Sequence, residues 1–175
     1  MTNSRVKIET NRLILLPLTK EEMELYIAGE SALEYTLNLN ENKGRNISPH
    51  VKQSITQKII PNLNDSDKDN LYYTFWMIIE RSKNRIVAEI CFKGEPDENG
   101  VVEVGYATYD EYQGNGFMTE ALRGIMNWTF EQKKVTKALA ETNPGNMASI
   151  RVLEKNNFSV KEKTETNVTW VLQKK

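Results

Sequence analysis

The 175-residue chain has only one cysteine, Cys91, and one histidine, His50. A single cysteine excludes an intramolecular disulfide. A zinc site would lack ligands, because the sequence contains no CxxC, no HExxH and no other Cys/His cluster. A Ser-His-Asp triad would have to use His50, whose place beside Pro49 is more typical of a helix start. Cys91 stands in an apolar strand pattern, which favours a buried small side chain. The chain's chemistry therefore needs neither a metal ion nor a triad.

The sequence also lacks long apolar runs, a GxxxxGK[ST] phosphate loop and an excess of one charge. Its most apolar stretches, such as Leu13–Leu16, are far too short to span a bilayer. The N-terminus lacks the charged-then-apolar pattern of a signal peptide. With 23 basic and 24 acidic side chains the net charge is −1, so no global field attracts nucleic acid or an anionic membrane. We expect one cytoplasmic domain without nucleic-acid or membrane partners.

The first half of the chain carries clear helix-start signals. A short strand at Leu13–Leu16 precedes a capping box at Thr19–Glu22, which begins a helix. Ser48 followed by Pro49 begins a second helix. The polar segments 38–47 and 62–70 flank that second helix and are candidates for a mobile lid.

The second half is rich in the side chains that favour strands. The elements predicted there are strands at 71–80, 85–93 and 101–109, a helix over 117–134, a strand at 135–141, a helix over 146–156 and a last strand at 168–172. Short links between the first three strands imply an antiparallel meander. The strand–helix–strand unit at 101–141 is a parallel crossover. The predicted fold class is therefore α+β, with a mixed and mostly antiparallel sheet.

The segment Glu111–Leu122 has the features of an anion site. It lies between a predicted strand and an amphipathic helix, where free helix N–H groups and the helix dipole favour an anion. Gly114 and Gly116 can adopt positive φ, and without a Cβ they let a phosphate approach the backbone. The segment predicts a phosphate or pyrophosphate at residues 114–119. An ordinary tight turn is the alternative, and a Rossmann GxGxxG would need a third small residue where Thr119 stands.

The sequence Gln113-Gly114-Asn115-Gly116 resembles the Q/R-x-x-G-x-G/A acyl-CoA loop of the GNAT superfamily of N-acetyltransferases. The surrounding sequence is closer still to its ribosomal-protein-acetyltransferase branch, the RimJ/RimL type. Four blocks carry this resemblance in the right order, namely Glu9–Leu15, Glu103–Tyr106, Tyr112–Ala121 and Asn146–Lys155 with Phe158. The resemblance implies a single N-acetyltransferase domain over residues 1–175, with the GNAT fold and helices on both faces of the sheet.

The chain departs from the superfamily pattern at three positions. Met118 stands where the loop motif ends in Gly or Ala, which implies a looser backbone approach there. Leu153 occupies the place of the tyrosine that commonly protonates the departing thiolate, a tyrosine that the RimJ/RimL branch also tends to lack. Asn157 replaces a glycine, a mild change because Asn tolerates the left-handed conformation that the helix end requires.

The resemblance implies that acetyl-CoA is the co-substrate and that no metal takes part. In this fold the strand at 101–109 splays from the strand at 135–141, and the pantetheine arm fills the opening. A primary amine then attacks the thioester directly in a ternary complex. The residues that would bind acetyl-CoA are Gln113, Gly114, Asn115, Gly116, Phe117, Met118, Thr119 and Asn146. For Asn146, a helix N-cap is the alternative interpretation.

Glu103 and Ser149 are the candidate catalytic residues. A lysine-like amine with a pKa of ~10.4 is neutral in only roughly one molecule in 2,500 at pH 7, so a base is useful. Glu103, ahead of the splay, is the candidate base and would act through water. Ser149 is the candidate acid in place of the missing tyrosine. The alternatives are an exposed strand carboxylate for Glu103 and a helix residue that serves the cap at Asn146 for Ser149.

No motif identifies the amine acceptor. A protein N-terminus, a polyamine, an aminoglycoside-like amine and an amino acid all fit, and acceptor selection is expected in residues 20–70. A homodimer is also compatible with the sequence. The second class of function is a non-catalytic acyl-CoA-binding regulatory module. The retention of Gly114, Gly116 and Glu103 together favours an enzyme.

Overall fold

The computed structural model describes residues 5–29, 31–42 and 47–175. Its strands are β1 (Ile8–Glu9), β2 (Leu13–Pro17), β3 (Phe75–Glu80), β4 (Arg85–Phe92), β5 (Val101–Thr108), β6 (Lys137–Thr142), β7 (Ser159–Lys163) and β8 (Val168–Gln173). Its α-helices are α1 (Lys20–Ala28), α2 (Ala32–Thr36), α3 (Pro49–Ser54), α4 (Ile60–Leu63), α5 (Phe117–Glu131) and α6 (Met147–Lys155). A π-helical turn, Ile55–Ile59, joins α3 to α4.

The strands form one sheet in the order β1-β2-β3-β4-β5-β6-β8-β7. Neighbouring strands are antiparallel except for β5 and β6, which are parallel and are joined by α5. The predicted meander, the parallel crossover and the mixed α+β architecture are therefore confirmed.

Local hydrogen bonds begin the two helices predicted in the first half. The Thr19 hydroxyl accepts from the Glu22 N–H at 3.3 Å, and the Glu22 carboxylate accepts from the Thr19 N–H at 2.8 Å. The Ser48 hydroxyl accepts from the Val51 N–H at 3.3 Å, with Pro49 in the first turn. Both starts are confirmed, because each depends on contacts within four residues of sequence.

Several elements differ from the sequence prediction. β1, α2 and α4 were not predicted, and α5 ends at Glu131 and not at residue 134. Two further differences have a cause that the structure shows. Residues 71–74 precede β3 instead of forming its first half. The Trp76 indole donates to the Leu71 carbonyl at 2.9 Å, and the Thr74 hydroxyl donates to the Leu18 carbonyl at 2.7 Å. Strand β7 was not predicted, because every residue in it is exposed and no apolar alternation marks it. It forms by pairing with β8.

Helices cover both faces of the sheet. Val102 and Val104 of β5 belong to the same buried cluster as Leu122 of α5, on one face. On the other face Met77 of β3 belongs to a second buried cluster with Met23 of α1. In a strand successive side chains point to opposite faces, so the even-numbered residues of β5 face α5 and the odd-numbered ones face the side of α1.

The sheet opens between β5 and β6. These strands pair only from Val101 with Lys137 to Glu103 with Leu139. Beyond that point β5 stays paired with β4 as far as Thr108, while β6 stays paired with β8 as far as Thr142. The predicted splay is therefore present, and Glu103 is the last residue before it.

Candidate active site

A cavity of about 550 Å³ lies beside the end of β5 that no longer pairs with β6. Three parts of the chain line it: the end of β5 at 106–108, the loop and helix start at 112–119, and the face of α6 that carries Asn146 and Ser149. The opening thus brings together the predicted phosphate loop and the predicted acid from positions more than 30 residues apart in the sequence.

The loop before α5 has the backbone conformation expected of an anion site. Gly114 and Gly116 have φ of +77° and +74°, a left-handed region that glycine adopts without strain. The first helical hydrogen bond of α5 runs from the Glu120 N–H to the Gly116 carbonyl at 3.2 Å. The N–H groups of residues 117–119 therefore precede any intrahelical acceptor. With the helix dipole they form a positively polarised wall of the cavity.

The side chains of the loop support its shape. The Asn115 amide folds back and donates to the Tyr112 carbonyl at 3.0 Å and the Gln113 carbonyl at 3.1 Å. Asn115 does not line the cavity, unlike the other loop residues predicted to bind acetyl-CoA. The Met118 side chain is only 4% exposed and packs in the core beneath α5. Its bulk therefore points into the core even though it replaces a Gly or Ala of the motif.

Helix α6 supplies the opposite wall. The Asn146 side chain accepts from the Ser149 N–H at 3.1 Å, so Asn146 is the N-cap of α6 as well as a cavity residue. The cap uses the backbone N–H of Ser149 and not its hydroxyl. Arg151 and Lys155 also line the cavity. Their four-residue spacing on a predicted helix was the signal that could have identified them.

Tyr106 lines the cavity but was not predicted from the sequence as a site residue. Its hydroxyl donates to the Ser149 carbonyl at 3.3 Å. Burial raises the pKa of Tyr106 to about 12, and the hydrogen bond to Ser149 opposes that rise only in part. Tyr106 is therefore protonated at neutral pH and presents a neutral hydroxyl to the cavity.

The candidate base lies beside the opening and already has a charged partner. Lys93 forms an ion pair with Glu103 and lies 3.5 Å from the Glu141 carboxylate. Partial burial acts to lower the pKa of Lys93, but the hydrogen bond and charge of Glu103, with Glu141 behind them, raise it overall. Lys93 is thus a firmly charged ammonium between two carboxylates from β5 and β6.

Glu103 and Ser149 stand on different sides of the opening. Glu103 is odd-numbered on β5 and faces the side of α1, whereas Tyr106 faces α6 and Ser149. Glu103 is not among the residues that line the 550 Å³ cavity. The structure therefore places the candidate base and the candidate acid about the end of the β5–β6 pairing, on opposite faces of the sheet.

His50, Cys91 and the described residues of the segment 38–47 do not line the 550 Å³ cavity. His50 is exposed at the start of α3. Burial raises the pKa of the Cys91 thiol to about 11, so this cysteine is a poor nucleophile at neutral pH. Of the predicted lid segment 38–47, residues 43–46 lie outside the described residues, and Asn42 is buried, with its amide donating to the Ile86 carbonyl at 2.7 Å.

Two kinds of site are missing from the part of the chain that the structure describes. In ranges 5–29, 31–42 and 47–175, no three His, Cys, Asp or Glu side chains come together as metal ligands would. No helix in the same ranges has both the length and the apolar run that a bilayer crossing requires.

A family model described as an acetyltransferase (GNAT) domain matches residues 12–159. The uncharacterized N-acetyltransferase YjdG of Bacillus subtilis (strain 168) is 31% identical over 96 residues. That match covers 55% of this chain and 57% of YjdG, so the chain spans little more than half the length of this relative.

Solved structures share the whole fold at low identity. The ribosomal-protein-S5-alanine acetyltransferase of Vibrio fischeri superposes with a TM-score of 0.66 at 16% identity, over 97% of each chain. The ribosomal L7/L12 α-N-protein acetyltransferase RimL, solved with coenzyme A, superposes with a TM-score of 0.65 at 14% identity, over 96% of this chain and 98% of RimL.

Proposed function

The chain belongs to the acetyltransferase (GNAT) domain family, and we propose that it is an acetyl-CoA-dependent enzyme that acetylates a primary amine by direct attack in a ternary complex. The observation that carries this proposal is the cavity at the splay, which joins a positively polarised helix start to an open strand edge. The acceptor classes that fit are a protein N-terminus, a polyamine or another small amine.

Acetyl-CoA matches the chemistry of the cavity walls. Its pyrophosphate suits the free N–H groups at the start of α5, next to Gly114 and Gly116. Arg151 and Lys155 add two cations on the facing helix, which favour a polyanionic ligand. The pantetheine arm has amides that suit the unpaired edge of β5 beyond Glu103. The Asn115 side chain contributes to binding by holding the shape of the loop through its own hydrogen bonds.

The transfer step requires one proton to leave the amine and a thiolate to leave the acyl carbon. The neutral amine nitrogen attacks the thioester carbonyl carbon, the C–N bond forms, the C–S bond breaks, and the electron pair of that bond goes to sulfur. Glu103 accepts the amine proton through water from the face that α1 covers. The sulfur leaves on the α6 side, where the Ser149 hydroxyl can donate to it, while Tyr106 donates its one hydroxyl proton to the Ser149 carbonyl.

The transfer activity is tested by incubating the protein with acetyl-CoA and a panel of amines. The panel holds peptides with free N-termini, polyamines, aminoglycosides and amino acids, and the measurement is steady-state release of free CoA. We expect release that depends on one class of amine. Tight acetyl-CoA binding without release for any amine would instead favour the non-catalytic acyl-CoA-binding module.

Replacing Ser149 with alanine should lower turnover about tenfold, because a thiolate of pKa ~8.5 is a good leaving group and needs little acid assistance. The urea midpoint should not change, since the cap uses the Ser149 N–H and not its hydroxyl. Turnover is measured at saturating acetyl-CoA.

The matched control is Asn146→Ala, which removes the cap acceptor and should cost ~1 kcal/mol of unfolding free energy. Wild-type turnover in the Ser149→Ala variant would remove Ser149 from the catalytic residues and show that the thiolate leaves without an acid.

A further inference from the structure

Arg12 joins the start of β2 to the loop that precedes α5. Its Nη1 donates to the Asn115 carbonyl at 3.1 Å, and its Nε donates to the Glu120 carboxylate at 2.7 Å. The guanidinium also lies 4.9 Å from the centre of the Phe117 ring. One side chain thus contacts the loop and the first turn of the helix, more than 100 residues away in sequence.

Glu120 completes this contact from the helix. Its other carboxylate oxygen accepts from the Arg12 backbone N–H at 2.8 Å and from the Thr10 hydroxyl at 2.6 Å. Partial burial acts to raise the pKa of Glu120, but the hydrogen bonds from Thr10 and Arg12 and the guanidinium charge lower it overall. Glu120 is therefore a fixed anion, and Thr10, Arg12 and Glu120 form what we call the β2–α5 clamp.

The clamp orients the peptide group between Asn115 and Gly116. In a trans peptide the carbonyl and the next N–H point in opposite directions. Because the Asn115 carbonyl points to Arg12, the Gly116 N–H points away from Arg12. Gly116 lines the 550 Å³ cavity and Arg12 does not. Arg12 therefore acts on the cavity through the loop backbone, from behind it.

We propose that Arg12 is a positioning residue for the pyrophosphate of the acyl donor, acting by fixing the Asn115–Gly116 peptide and the first turn of α5. This inference depends on the proposed use of acetyl-CoA. Through the clamp the sequence segments Glu9–Leu15 and Tyr112–Ala121 contact each other.

The experiment compares a donor that has the pyrophosphate with one that lacks it. Acetyl-CoA is titrated by calorimetry and S-acetylpantetheine by ligand-observed NMR, against wild type, Arg12→Gln and Arg12→Lys. Both variants should bind acetyl-CoA about tenfold more weakly, the scale of one lost charge-assisted hydrogen bond. Their affinity for S-acetylpantetheine should stay within about twofold of wild type, because that ligand has no phosphate for the loop to bind.

Arg81→Gln is the matched control. Arg81 lies at the same corner of the sheet, donates to the Thr10 carbonyl at 3.2 Å, and has an exposed fraction of 46% against 44% for Arg12. It contacts neither the loop nor α5 in the described structure, and its bond to Thr10 uses the backbone carbonyl and not the hydroxyl that donates to Glu120, so its loss should leave acetyl-CoA affinity unchanged. A thermal melt of each variant is recorded in parallel.

Three results would overturn the inference. Wild-type acetyl-CoA affinity in Arg12→Gln would show that the clamp does not matter for binding. Equal weakening of both ligands would show a general structural effect. Restored affinity in Arg12→Lys would show that charge alone acts, since lysine cannot bond the Asn115 carbonyl and Glu120 through a planar fork. If the wild-type protein does not bind acetyl-CoA, the proposed function is wrong, and that result is distinct from the three results for the Arg12 variants.

Discussion

Replacing Gly116 with aspartate should abolish acetyl-CoA binding, with a loss of ~10²-fold or more, while the protein stays folded. Gly116 is the N-cap of α5 and has a φ of +74°. A carboxylate at this position competes with the pyrophosphate for the same free N–H groups and repels it at close range. The substitution should therefore lower acetyl-CoA affinity far more than it lowers the stability of the fold.

The fold should survive because the position has room for a side chain. A Cβ at Gly116 would have Arg12 Nη2 as its nearest neighbour, at 3.6 Å, which is an ordinary contact. Aspartate also tolerates the left-handed conformation better than most residues. The new carboxylate lies at the N-terminus of α5, where the helix dipole stabilises a negative charge. Local strain is thus partly offset by this electrostatic stabilisation.

Gly29→Asp is the control for backbone strain away from the cavity: with φ +80° and ψ −152°, Gly29 has a conformation that only glycine adopts freely, so its strain is no smaller than that at Gly116. Gly29 has a φ of +80° and follows α1 on the other face of the sheet, and a Cβ at this position would have no neighbour within 4 Å in the described structure. The Gly29→Asp variant should bind acetyl-CoA like wild type. Affinity is measured by calorimetry and folding by a circular dichroism melt. A folded Gly116→Asp protein with unchanged affinity would contradict the assignment of the phosphate loop.

The features that the sequence predicted well are those encoded by neighbouring residues. The helix starts at Thr19 and Ser48 depend on hydrogen bonds across three residues, and the structure contains them. The positive φ of Gly114 and Gly116 follows from a Gly-x-Gly between a strand and a helix. Asn157, at a helix end, has the left-handed φ of +62° that was expected of it.

The features that the sequence could not predict depend on contacts between distant strands. The ion pairs of Lys93, the residue after β4, connect it to β5 and β6, and no spacing within one strand indicates them. The β2–α5 clamp likewise needs the sheet to bring Arg12 to Glu120. Arg151 and Lys155 are an intermediate case. Their spacing predicts that they share one face of a helix, but the sequence does not predict that this face lines the cavity.

Replacing Glu103 with glutamine should lower turnover on a lysine- or polyamine-type acceptor by ~10²-fold or more. Such an amine is almost entirely protonated at pH 7 and needs a base. On an α-amino acceptor, with a pKa of ~7.7–8.0, the loss should be smaller, because roughly a tenth or more of the amine is already neutral. Acetyl-CoA affinity should barely change, since Glu103 does not line the cavity.

The ion pair with Lys93 makes the choice of control important. Glutamine keeps an oxygen that can accept from Lys93, so the variant removes the charge and the basicity of Glu103 more than its packing. Glu141→Gln removes the other carboxylate near Lys93 and leaves Glu103 in place. The Glu141 side chain is 46% exposed. An exposed pair of this kind is worth little, so Glu141→Gln should change turnover by less than about fivefold.

The pH dependence of turnover decides whether Glu103 is the base. In wild type the rate should fall at low pH as the base takes up a proton, which gives an acidic limb. The break in the profile that belongs to the base should disappear in Glu103→Gln, leaving only the rise with pH due to deprotonation of the amine itself, and it should persist in Glu141→Gln. If the break persists in Glu103→Gln, another group accepts the amine proton. Lys93 would then be a structural cation that closes the paired end of β5 and β6, and Glu103 its counter-ion.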